Sequence, residues 1–238
     1  VTRIQNIDAE VVAAQIDAVF SDIHVDAVKV GMVSITPIIE TIAKKMKAYV
    51  PSYLVVDPVM VATSGAYLLE ETARRTLLEK LLPLASVITP NMMEGEVLSG
   101  MTIRSKDDME KAAHAILDAC GAAVLLKGGH LAQTADDYLL EKDGRGTWLL
   151  GRHIDNSNTH GTGCSLSSAL ASELALGHTL PEAAQLAKDY VALGIEHGLG
   201  TILKNQLHAF AFGDIYLFVA GVGKQVDTFI NIPELTEE

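Results

Sequence analysis

The sequence predicts an α/β fold in which a mostly parallel sheet is flanked by helices, and three observations point to it. Short apolar runs alternate with longer amphipathic stretches from Asp8 to His197, the order that parallel strands and crossover helices require. Hydrophobic residues make up 49% of the 238 but aromatics only 5%, the Ala, Leu, Val and Ile balance of buried strands under helices. Each predicted strand ends in glycine, proline or a polar residue, which places the polar positions where ligands of such sheets bind.

In order, Val11, Val12, Ala14, Ile16, Val19 and Phe20 give residues 8–23 a helical period, with Asp8 as its expected N-cap. Asp26 to Val33 reads as a short buried strand. Thr36 to Tyr49 alternates apolar Ile38, Ile39, Ile42 and Met46 with Lys44, Lys45 and Lys47, a surface helix. Tyr53 to Val56 is a strand halted by Asp57-Pro58, because proline cannot donate to a ladder. Thr72 to Leu84 is helical, Ser86 to Ile88 a strand, and Met93 to Leu98 a short helix stopped at Gly100. Ser105-Lys106-Asp107-Asp108 opens a helix to Cys120 as a capping box with Asp in place of Glu. Ala122 to Lys127 is a strand, and Asp143-Gly144-Arg145-Gly146 turns a hairpin between 138–141 and 147–150. Helices follow at Ser165 to Leu176 and Leu180 to His197. Beyond Leu199 the pattern weakens, and only 215–223 reads as a strand.

The length suits one domain with a substantial core. A net charge of −12 argues against a nucleic-acid or anionic-membrane surface. Two cysteines, Cys120 and Cys164, cannot build a disulfide framework and form no CxxC pair, so a reduced, cytoplasmic setting is expected. No apolar run reaches the roughly 18 residues of a spanning helix, and the start at Val1 lacks a signal-peptide core. The first residue is not Met, so a preceding piece is expected.

The stretch Asn158-Thr159-His160-Gly161-Thr162-Gly163-Cys164 runs into a helix whose first N–H groups lack partners within it. Such an end attracts anions and favours a thiolate, although a glycine turn before a core helix reads equally well from the loop alone. Phosphoryl transfer needs a cation on the phosphates, backbone donors for developing charge and a base for the hydroxyl. Lys127 beside Gly128-Gly129 fits the first need, and Asp57 and Glu94 are oxygen donors of the kind Mg²⁺ takes. The plain alternatives are a solvated lysine, a turn-closing Asp and a helix-starting Glu. Cys164 can serve as base, or pair with His160 as a nucleophile. Neither a Walker loop nor G-x-G-x-x-G is present.

Taken together, Val55-Val56-Asp57-Pro58-Val59-Met60-Val61-Ala62, Thr89-Pro90-Asn91 with Glu94, Leu126-Lys127-Gly128-Gly129-His130 and the 158–164 stretch resemble the hydroxymethylpyrimidine/phosphomethylpyrimidine kinases of thiamine biosynthesis. These enzymes belong to the ribokinase-like superfamily and are relatives of the pyridoxal kinases. The likeness covers residues 7–198. It implies a ribokinase-like three-layer fold, ATP and Mg²⁺, a pyrimidine alcohol as substrate and a homodimer. By position, Asp57 and Glu94 stand at the metal, and Asn91, Glu94 and Lys127 at the phosphates. Gly161, Thr162 and Gly163 form the anion hole, Cys164 takes the place of an aspartate base, and Met32 and Val59 line the pyrimidine pocket. The family's first strand, its Gly/Ser-rich loop and a pyrimidine-binding glutamine do not precede Val1. A kinase domain at 1–198 lacking that strand is therefore expected, followed by a segment 199–238 of uncertain structure; the start is expected simply not to be represented in this sequence, with 215–223 in the missing strand's place as the alternative. Two alternatives stay open: a pyridoxine/pyridoxal kinase, and a truncated non-catalytic member that binds a pyrimidine or nucleotide.

Overall fold

The structure, a computed structural model, describes residues 7–60, 69–129, 135–151, 154, 161–197, 215–220 and 226–231. Its centre is four parallel strands, β1 (Ala27–Val30), β2 (Tyr53–Val56), β3 (Val87–Ile88) and β4 (Ala123–Leu126), neighbours in chain order. The expected hairpin, β5 (Asp137–Leu140) and β6 (Gly146–Leu149), extends the sheet antiparallel beyond β4. Beyond β1 lie β7 (Ile215–Ala220) and β8 (Val226–Asn231), also antiparallel, so the order is β6-β5-β4-β3-β2-β1-β7-β8. The 215–220 run thus joins the main sheet beside β1, and β8 is a strand that the sequence pattern does not signal.

Seven helices accompany the strands among the described residues: α1 (Ala9–Asp22), α2 (Thr36–Tyr49), α3 (Glu71–Thr76), α4 (Met92–Ser99), α5 (Lys106–Cys120), α6 (Thr162–Ala175) and α7 (Leu180–His197). Three differences from expectation have local causes. Asp8 holds the N-cap position of α1, but its side chain caps nothing. Past α3 the chain continues as a π turn at Leu77–Leu81 and a 3₁₀ turn at Leu82–Leu84, because Pro83 has no N–H to carry the ladder on. Ser105 does cap α5 by accepting from the Asp108 N–H, but the Asp108 carboxylate accepts from Arg104 N, one residue before the capping-box donor.

Period-two alternation divides the apolar residues between two layers. Val28, Val30, Leu54, Val56, Ile88, Val124 and Leu126 face the side covered by α1, α2, α3 and α5. Ala27, Val55, Val87, Ala123 and Leu125 face the other, under Leu166, Leu170, Ala171 and Leu174 of α6 and Ala183, Ala184 and Ala187 of α7. Helices therefore cover both faces, the three-layer arrangement that parallel strands need to stay dry. No described helix is long and apolar enough to cross a membrane.

Candidate active site

The same alternation positions the chemistry. Two residues on from Ala27, Val55, Val87 and Leu125, all on the α6 face, come Lys29, Asp57, Thr89 and Lys127. The ladder runs on past the strands: Asp57 N donates to Val30 O (2.9 Å), Thr89 N to Val56 O (3.0 Å) and Lys127 N to Pro90 O (2.9 Å), and Asn91 bridges to Lys127. Strand pairing thus gathers residues from four separate chain segments on one edge, beneath the start of α6.

Asp57 is buried and meets three donors. Its Oδ1 accepts from Lys127 Nζ and from Thr89 Oγ1, each at 3.1 Å, and its Oδ2 lies 3.2 Å from Ser167 Oγ of α6. Burial opposes its charge, but Lys127 and Lys29, with the Lys127 and Thr89 hydrogen bonds, outweigh that and hold its carboxyl below the usual range. Burial likewise opposes the Lys127 charge, and Asp57 and Glu94 overcome it to raise the ammonium. Glu94 closes a full capping box on α4, with Asn91 N donating to its Oε2 (2.8 Å) and Asn91 Oδ1 accepting from Glu94 N (2.9 Å). Its Oε1 accepts from Met60 N at 3.4 Å, which ties α4 to the segment after β2.

Facing this cluster is the tip of α6. Gly161 takes the left-handed conformation (φ 86°) at the N-cap, where it has no side chain to cap the helix. The helix begins at Thr162 rather than Ser165, so Thr162, Gly163 and Cys164 form its first turn instead of a preceding loop. A Cβ at Gly163 would stand 3.3 Å from Lys127 Nζ, which brings this turn up against the ammonium. Cys164 is half-buried and near enough to act on the Lys127 charge. Met32 and Val59, both half-buried, follow β1 and β2 at the same edge. Asn158, Thr159, His160, His130, Val61 and Ala62 lie outside the described residues, and with them any pairing of His160 with Cys164.

Residues 1–206 match the family model for phosphomethylpyrimidine kinase. The chain belongs to that family. It is 46% identical over 197 residues to the hydroxymethylpyrimidine/phosphomethylpyrimidine kinase of Rhizobium meliloti (strain 1021), covering 82% of this chain and 73% of that one. The crystal structure of phosphomethylpyrimidine kinase from Clostridium difficile 630 superimposes with a TM-score of 0.72 at 41% identity, over 81% of this chain and 79% of that one. An ADP complex of Bacillus subtilis pyridoxal kinase gives 0.77 at 37%, over 84% and 75%. The family's ribokinase-like fold is the fold of this chain, and the family members are phosphotransferases.

Two polar groups at this edge escape sequence reading. Ser167 Oγ is within 3.1–3.2 Å of three acceptors, Asp57 Oδ2 and the Gly163 and Cys164 carbonyls, so its single proton is shared between the helix and the acid. Lys29 is a lysine in an otherwise apolar strand, and that mismatch is the signal it gives. Glu94 provides a pH test. Burial pushes its carboxyl from 4.5 up to about 7, with Asp57 adding to the rise and Lys127 opposing it. Because the folded value exceeds the unfolded one, this contribution to stability is present below 4.5 and is lost as pH rises through about 7. Between about pH 5 and pH 8, wild type should lose about 2–3 kcal/mol relative to Glu94→Gln, read from urea midpoints. Parallel pH profiles for the two proteins would show that Glu94 is not held protonated.

Proposed function

We propose that the protein transfers the γ-phosphoryl group of ATP to the hydroxymethyl group of 4-amino-5-hydroxymethyl-2-methylpyrimidine, and then to the resulting monophosphate, in thiamine biosynthesis. The observation that carries this reading is the placement of the Lys127 ammonium between the buried Asp57 carboxylate and the first turn of α6, whose N-cap is a glycine. A phosphate seated on that turn meets backbone N–H groups and the positive end of the helix dipole, with Lys127 alongside. Cys164, in the same turn, accepts the proton of the substrate hydroxyl as its oxygen bonds to γ-phosphorus and the bond to ADP breaks. Asn91 and Glu94 hold the α4 end of the edge in place, and Met32 and Val59 bound the side where the pyrimidine enters.

Asp57 and Glu94 suit Mg²⁺ held through its waters. Among the described residues no group of three or more His, Cys, Asp or Glu forms a dedicated cage, and both carboxylates are engaged by protein donors. An ion carried mainly by phosphates and water fits that donor set, and bound there it neutralises phosphate charge. The reading extends to a homodimer in the cytoplasm, checked by light scattering and fractionation.

The pyridoxal kinase neighbours, similar at TM-scores up to 0.77, support a second reading, phosphorylation of a vitamin B6 alcohol. Turnover of the two alcohols with Mg-ATP decides between them: a higher kcat/KM for the pyrimidine is expected, and a preference for pyridoxine would reverse the assignment.

A further inference from the structure

Lys29 is 1% exposed, a charge sealed under α6 in the middle of a four-residue strand. An ammonium there needs anions or acceptors about it, and Asp57 is one acid close enough for Lys29 to act on its charge. The register gives the backbone spacing. Lys29 pairs with Val55, and two residues beyond Val55 on the same face comes Asp57. That diagonal spans roughly 7–8 Å between backbones, within the reach of a lysine side chain. The residue of β1's chain level with Asp57 is Gly31, which has no side chain to fill the space.

We propose that Lys29 is a positioning residue: it is the standing countercharge of Asp57, and it leaves Lys127 able to exchange Asp57 for a phosphate. The two lysines differ in access. Lys29 is enclosed, whereas the Lys127 side chain is 15% exposed and points its ammonium at the α6 turn. With one cation, Asp57 would bind Lys127 against any incoming anion. With two, Asp57 stays neutralised while Lys127 is shared. This inference rests on the kinase reading for the identity of the anion, but not for the pairing itself.

The test is a double-mutant cycle with Lys29→Met and Asp57→Asn. Methionine fills the lysine's volume without charge, so folding should persist. Lys29→Met should weaken calorimetric ATP affinity and kcat/KM for ATP by about tenfold or more, while KM for the alcohol changes by less than about twofold. In the Asp57→Asn background the same substitution should shift ATP affinity by less than about twofold, and Lys29→Arg should recover most of the loss. Unchanged ATP affinity in Lys29→Met, or an equal loss in both backgrounds, would overturn the proposal. If wild type phosphorylates neither alcohol, the kinase reading fails by itself. The cycle read on urea midpoints then still decides the pairing: coupling upholds it and simple additivity refutes it.

Discussion

Lys127→Met lowers kcat/KM for ATP by about 10²–10³-fold or more, because it removes a cation that faces both the α6 turn and the buried acids. The substitution also acts on the ground state. Asp57 loses its hydrogen-bonded partner and Glu94 the cation that restrains its upward shift. Removing one member of a buried pair costs about 3–5 kcal/mol, and Lys29 beside Asp57 should keep the loss near the lower end. Urea unfolding and ATP kinetics on the same preparation separate the two effects. A variant that unfolds early yet binds and turns over ATP as wild type does would mean that Lys127 is an anchor for Asp57 alone, and the placement of phosphate at this edge would be wrong.

Cys164→Ala lowers kcat by about 10²–10⁴-fold, with the KM for ATP nearly unchanged, the pattern of a lost proton acceptor rather than a lost binding contact. Folding should be kept. The residue is half-buried, and alanine is the most favourable residue for a helix, so the first turn of α6 keeps its shape. Turnover close to wild type in this variant would take Cys164 out of the chemistry and pass the hydroxyl proton to solvent or to the phosphate. A parallel loss of melting temperature and of ATP affinity would instead mark the thiol as packing for the helix tip.

The strands, most helix limits and the polar strand ends could be read from the residues, because each depends on short-range pattern. Asp57 stands out by its proline, Glu94 by its spacing from Asn91, and Lys127 by the two glycines after it. Lys29 shows only as a mismatch in an apolar strand and Ser167 not at all, because their surroundings are made by tertiary contact. A lysine between Val28 and Val30 reads as a solvent-facing position until α6 covers it. Ser167 reads as one more small residue on a helix until β2 brings Asp57 beneath it. The helix α6 starts three residues before the position its sequence pattern indicates, because glycines at 161 and 163 resemble loop, although of the two only Gly161 uses the left-handed freedom. The second edge strand, β8, follows a stretch with no usable period, and it is defined only by its pairing with β7.

The position of β1 also constrains how the molecule is made. It bonds on one side to β2, which follows within one helix, and on the other to β7, from the opposite end of the chain. During synthesis the four central strands can pair as soon as β4 has left the ribosome, but the bonds from β1 to β7 form only after β7 emerges. A strand whose β7 partner is delayed is a hazard for association between nascent chains. Arrest of translation before residue 215 should therefore yield more aggregate than arrest after residue 231, by a margin that a chaperone added during synthesis would narrow.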